Sequence, residues 1–180
     1  ASMDLGLDNK LVLISGSSSG IGKATAKTYL EEGARVIVHG LTIAEVDTCV
    51  NDLSAFGEVH GMAADLTHAE QATALADFSK THGPVDILVN NAAQLLWGNF
   101  QAHEAQAIND LLAVNIQALT TLSEHFIKGM LRRGTGKILN VASVAGFQAV
   151  PAMGLYAASK AYVISLSESM SEQLRGSGVS

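Results

Sequence analysis

Aliphatic and β-branched positions fall in short runs that alternate with longer stretches of helical period: 11–15 then 20–32, 35–39 then 43–55, and 58–63 then 68–82. The series continues with a strand over 86–90, a long helix over about 104–133, a strand over 137–142 and a helix over about 153–175. Punctuation agrees with this alternation. Gly33 follows the first helix and Gly83-Pro84 the third, and Thr42-x-x-Glu45 and Thr67-x-x-Glu70 both read as capping boxes. Strands such as Ile87-Leu88-Val89 lack polar alternation, as expected when both faces are covered. The pattern predicts one α/β domain: a doubly wound parallel sheet in three α/β/α layers.

The stretch 104–133 carries Ile108, Leu111, Leu112, Val114, Leu119, Leu122, Phe126, Ile127, Met130 and Leu131, more apolar surface than one stripe holds. Either one face packs against a second subunit or the helix lies deep in its own domain. A homodimer or homotetramer joined through helices 104–133 and 153–175 is the oligomer expected on the first reading.

With 180 residues, 48% of them apolar, the chain is long enough for a substantial core and too apolar for disorder. Its formal charge is −6, and its densest basic cluster is only Lys128, Arg132, Arg133 and Lys137, which argues against a nucleic-acid partner. No apolar run reaches the roughly 18 to 20 residues of a membrane span. Cys49 is alone, and Asp4 and Asp8 stand where a secretion signal would be basic, so a reducing cytoplasm is the expected location. Residues 1–3 read as an expression remnant ahead of a domain spanning 4–180. The histidines at 39, 60, 68, 82, 103 and 125 show no ligand spacing; they are expected at the surface or at caps, with no metal bound.

Between the first strand and first helix stands Ser15-Gly-Ser-Ser-Ser-Gly-Ile-Gly22. Its glycines at 16, 20 and 22 fit neither G-x-G-x-x-G nor the P-loop. The location is nevertheless where open α/β sheets bind ligands, with free N–H groups and a positive dipole end facing an anion such as a pyrophosphate. Gly16 permits the tight turn, Gly20 the close approach of ligand, and Gly22 the packing of helix on sheet. Glycine spacing alone does not separate this from an ordinary strand-to-helix turn.

Further along stand Asn90-Asn91-Ala92-Ala93 after the fourth strand, Asn115 in the long helix, Ser143 after the fifth strand, and Tyr156-Ala-Ala-Ser-Lys160 opening the last helix. With Gly-x-x-x-Gly-x-Gly, this ordered set resembles the short-chain dehydrogenase/reductase superfamily, whose Rossmann-like fold it implies from about residue 8 to residue 180. The resemblance implies a dinucleotide, NAD or NADP, held by Gly16, Ser18, Ser19, Gly20, Ile21, Gly22, Leu41, Thr42, Asp65, Leu66, Asn91, Ala92, Tyr156 and Lys160. It implies hydride transfer at a small carbonyl or alcohol substrate by Asn115, Ser143, Tyr156 and Lys160, with Ser143 and Tyr156 touching the substrate. By the family's pattern Lys160 also binds the nicotinamide ribose, and Asn115 holds a water linking Lys160 toward solvent.

The side chains suit this chemistry. Tyr156 and Lys160 are four apart on a helix and share a face, and an ammonium beside a phenol favours the phenolate, giving a usable general acid and base. Taken singly, Ser143 is also compatible with a turn residue and Asn115 with a satisfied core amide.

The second strand ends in Val38-His39-Gly40-Leu41-Thr42, with neither the carboxylate that receives the NAD ribose nor the arginine that accommodates the NADP 2′-phosphate. Nothing there repels a phosphate, and the helix capped by Thr42 offers an N-terminus, so NADP is favoured over NAD. Thr42 reads first as a plain N-cap whichever cofactor binds, and Asp65 is either an adenine contact or a turn residue. Ala93 departs from the family's glycine by one methyl. Leu95-Leu96-Trp97-Gly98 and Val150-Pro151-Ala152-Met153 are candidate substrate walls or loops packed over the core.

The sequence ends at Gly176-Ser-Gly-Val-Ser180, where a sixth strand is expected to begin, so the sheet is expected to lack its last strands and the chain to be truncated at its carboxyl end. That leaves a second class of function open: a dinucleotide-binding protein of the same fold that turns over poorly or not at all.

Overall fold

The computed structural model describes residues 4–180; residues 1–3, read above as an expression remnant, lie outside the described residues. Five parallel strands, β1 (Leu11–Ile14), β2 (Arg35–Gly40), β3 (Val59–Ala63), β4 (Ile87–Asn90) and β5 (Lys137–Asn140), form a sheet of order β3-β2-β1-β4-β5. Each strand leads into helix: α1 (Gly20–Glu31), α2 (Ile43–Leu53), α3 (Ala69–Lys80), then α4 (Ala105–Leu112) running into α5 (Leu119–Arg133), and α6 (Gly154–Gln173). The order in which strands are added to the sheet reverses between β1 and β4, and the carboxyl ends of these two strands open the crevice where such sheets take ligands.

Strand alternation builds two cores. Val12, Ile14, Val36, Val38, Ile87 and Val89 face Ala26 and Leu30 of α1 and Cys49 and Leu53 of α2. Leu11, Leu13, Ile37 and Leu88 face the other way, against Leu75 of α3 and Leu122, Phe126 and Met130 of α5. Both sets are apolar because both faces are covered, which explains strands without polar alternation.

Four expectations need correction. The 104–133 stretch is not one regular helix: α4 and α5 are joined by a π-helical turn, Ala113–Ala118, and a short 3-10 turn, Phe100–Ala102, precedes α4. Most of its apolar residues, Leu111, Val114, Leu119, Leu122, Phe126 and Met130 among them, are buried within the domain. Thr67 does not cap α3; His68 occupies the N-cap without a side-chain bond. Asp65 captures Thr67 first, its Oδ1 accepting from the Thr67 amide (3.0 Å) and hydroxyl (2.7 Å), because a carboxylate two residues upstream is the stronger local acceptor. The fifth strand stops at Asn140 rather than 142. His39 is neither at the surface nor a cap, but only 4% exposed within β2. The Thr42–Glu45 box, by contrast, forms as expected. At the chain's end Val179 bridges Gly136 in parallel, and the Ile138 amide donates to Ser180 O, alongside β5.

Candidate active site

The turn from β1 into α1 is fixed from three sides. Gly16 stands at φ +62°, and a Cβ there would lie 2.8 Å from Ala92 Cα, so only glycine makes this turn against the end of β4. A Cβ on Gly22 would lie 2.3 Å from Gly16 O, which seats the first turn of α1 directly on the loop. Ser15 Oγ accepts from the Asn91 and Ala92 amides (3.0 Å each), and Asn91 Nδ2 donates to Gly16 O (2.9 Å). Beside Gly20 there is nothing within 4 Å of where a Cβ would stand, and no side chain caps α1. The helix therefore presents open N–H groups and its positive end to a cleft of about 420 Å3.

That cleft brings together Gly16, Ser18, Ser19, Ile21, Gly22, Leu41, Asp65, Leu66, Asn91 and Ala92 of the expected cofactor set. Gly20, Thr42, Tyr156 and Lys160 do not line it; Thr42 is engaged in its capping box. His39, Gly40, Glu45, Ala64, Ala93, Gln94 and Val114 line it without having been expected there, although Ala93 had been singled out for its extra methyl.

His39 ties the cleft's two halves. Its Nδ1 accepts from the Gly16 amide (2.8 Å) and its Nε2 donates to Ala64 O (2.8 Å), which makes it a neutral imidazole with the proton on Nε2. Its backbone is bound as well: its amide donates to Ser17 Oγ (2.9 Å) and its carbonyl accepts from the Ser17 and Ser18 amides. Burial holds the ring below the usual histidine range, partly countered by the bond to Ala64. The available signal was strand alternation, which puts His39 on the same face as buried Ile37.

The expected catalytic residues gather at the carboxyl ends of β4 and β5. Lys160, 4% exposed, donates from Nζ to Val141 O (2.9 Å) just past β5, and the same ammonium lies 5.6 Å from the centroid of the Tyr156 ring. Burial pushes the Lys160 ammonium below the usual lysine range. Ser143 heads the 3-10 turn Val144–Phe147, its Oγ accepting from the Ala145 amide (3.2 Å). Gly146 of that turn abuts α6: a Cβ there would lie 2.8 Å from the Lys160 carbonyl carbon. The Ser143 turn is thus docked on the helix that carries Tyr156 and Lys160. An amide chain running from Asn90 to Asn140 (2.9 Å) and from Asn140 to Ser167 (2.8 Å) ties β4, β5 and α6 together.

Asn115 sits in the π-helical turn, a form that often marks functional sites. Its Oδ1 accepts from the Gln94 amide (2.7 Å), and its Nδ2 donates to Gln94 O (2.9 Å) and Ser159 Oγ (3.1 Å). It therefore clamps the segment after β4 to α6 at Ser159, the residue before Lys160. The two candidate substrate walls meet, since the Gly98 amide donates to Ala152 O (2.9 Å). Ala152 stands at φ +62°, a strained conformation of the kind found at functional loops, and Trp97 is 71% exposed.

Among the described residues no helix is long and apolar enough to cross a membrane. The family model for short chain dehydrogenases matches residues 10–180. An uncharacterized oxidoreductase, YvrD, of Bacillus subtilis (strain 168) is 44% identical over 177 residues, which is 98% of this chain and 67% of the relative. A metagenomic short-chain oxidoreductase solved in complex with NADP superposes with a TM-score of 0.90 at 31% identity, covering 96% of this chain and 79% of that one. L-Sorbose reductase from Gluconobacter frateurii, complexed with NADPH and L-sorbose, gives 0.91 at 26%, over 98% and 68%.

Proposed function

The chain belongs to the short-chain dehydrogenase family, and from that premise we propose that it is an NAD(P)-dependent oxidoreductase interconverting a small carbonyl compound and its alcohol. The observation that carries the reading is one arrangement. A buried Lys160, anchored on Val141 O, lies one helical turn from Tyr156, and an uncapped helix N-terminus opens on the same end of the sheet.

The residues fit a dinucleotide. The glycine turn and the open N–H groups of α1 suit a pyrophosphate, with the Ser18 and Ser19 hydroxyls as further donors. Asp65 and Leu66 form the adenine end of the cleft, and Asn91 and Ala92 the floor beside β4. When bound, the nicotinamide supplies or accepts the hydride. Tyr156 gives its proton to the carbonyl oxygen in reduction and takes it back in oxidation. Ser143 holds that oxygen by a hydrogen bond, and the Lys160 ammonium, one helical turn from Tyr156, puts a positive charge beside the ring that carries the transferable proton. Asn115, through Gln94 and Ser159, keeps the substrate side of β4 in register with α6. NADP is proposed over NAD, because residues 40–42 carry no carboxylate and the structural neighbours were solved with NADP or NADPH. Pairing of two copies through α4–α5 and α6 is part of the same proposal.

The test is a titration of the purified chain with NADPH and NADH, followed by a panel of carbonyl substrates read by loss of reduced-nicotinamide absorbance. Saturable binding with turnover of at least one carbonyl supports the oxidoreductase. Binding without turnover across the panel turns the reading to a dinucleotide-binding protein.

A further inference from the structure

We infer that Glu45, in the first turn of α2, sets how well this chain accepts the 2′-phosphate that distinguishes NADP from NAD. The inference rests on the dinucleotide reading of the cleft and concerns its adenosine end.

The 2′ position of a bound dinucleotide falls at the end of β2. Gly40, Leu41 and Glu45 line the cleft there, across from Ser18. Two amides at the helix N-terminus that could receive a phosphate are already in use. Glu45 Oε2 accepts from the Thr42 amide (3.2 Å), and Thr42 Oγ1 accepts from the Glu45 amide (3.3 Å). The charged residues lining the cleft are Glu45 and Asp65, with no lysine or arginine among them. The lysines of α1 are paired elsewhere, Lys23 with Asp52 (2.6 Å) and Lys27 with Glu31 (3.7 Å).

A ribose 2′-hydroxyl is a donor and can share the Glu45 carboxylate. A 2′-phosphate carries about −1.5 to −2 charges and only accepts. It meets a like charge and must displace it to reach the Thr42 amide. Glu45 therefore narrows whatever advantage NADP has, and acts through charge rather than shape.

Glu45→Gln isolates that charge, because glutamine at this position also completes a capping box. Dissociation constants for NADPH and NADH are measured on parent and variant at low and high salt, with thermal melts to check the fold. NADPH binding is expected to tighten by about fivefold or more, and NADH binding to change by less than about twofold, since a nearby unit charge is worth on the order of 1 kcal/mol at an exposed site. The gain should shrink at about 0.5 M salt, as screening shortens the reach of an exposed carboxylate. An unchanged NADPH-to-NADH ratio, or one that moves toward NADH, overturns the inference and leaves the dinucleotide reading standing. Failure of both cofactors to bind the parent overturns the dinucleotide reading and this inference with it.

Discussion

His39 offers a test of how the cleft is held open. Replacing it by alanine removes two bonds at once, leaving the Gly16 amide and the Ala64 carbonyl without their partners. A buried group left unsatisfied costs about 1–3 kcal/mol; with partial relief from water in the adjoining cleft, the pair amounts to about 2–4 kcal/mol. For a chain of this length each kcal/mol moves Tm by about 2–4 °C, so the expected fall is on the order of 5–15 °C. Asparagine is the informative companion, because its Oδ1 reaches as Nδ1 does and restores the Gly16 bond while leaving Ala64 unpaired. His39→Asn should recover about half of the loss, together with most of the dinucleotide affinity. Acid adds a second reading. Burial depresses the folded-state value of His39, so its contribution is complete above the ordinary histidine pKa of about 6.5 and is lost as pH falls below that toward the depressed value. The parent should therefore lose stability more steeply than His39→Asn below about pH 6.5, by at most about 1.4 kcal/mol per pH unit. Urea unfolding of the three proteins between pH 5 and 8 measures both effects. A loss under about 0.5 kcal/mol in His39→Ala, or parallel pH curves for parent and His39→Asn, would refute the tether.

Other outcomes follow from close approaches. Gly22→Ala puts a methyl 2.3 Å from Gly16 O and should abolish dinucleotide binding at a stability loss of about 1–3 kcal/mol; a cofactor titration with parent-like affinity contradicts the loop geometry. Gly146→Ala forces the Ser143 turn off α6 at Lys160 and should lower kcat about tenfold or more with cofactor Kd nearly unchanged, which steady-state kinetics and a binding titration separate.

The sheet was legible because β-branched runs and helical periods alternate without conflict, and the two buried faces left a signature in strands such as Ile87-Leu88-Val89. The glycine turn was legible once Tyr156 and Lys160 gave it a partner. What escaped has local causes. The π-helical turn at Ala113–Ala118 keeps an ordinary apolar period, so nothing in the pattern separates it from α-helix. Thr67 carries a capping pattern, yet Asp65 competes for it, and only geometry decides between two acceptors. His39 reads as a polar residue at a strand end, and its burial depends on the Gly16 amide and Ala64 carbonyl arriving from two other segments. Glu45 was visible as a capping partner, while its place at the adenosine end depends on how α2 follows β2.

Tyr156→Phe asks whether Tyr156 moves the proton while the rest of the site holds the reactants. The substitution removes one hydroxyl and leaves the ring that lies 5.6 Å from Lys160 Nζ. With a carbonyl substrate that the parent reduces, NADPH affinity is expected within about threefold of the parent and the rate at least about 100-fold lower, the usual scale of a general acid. Reduction within a few-fold of the parent rate would contradict it.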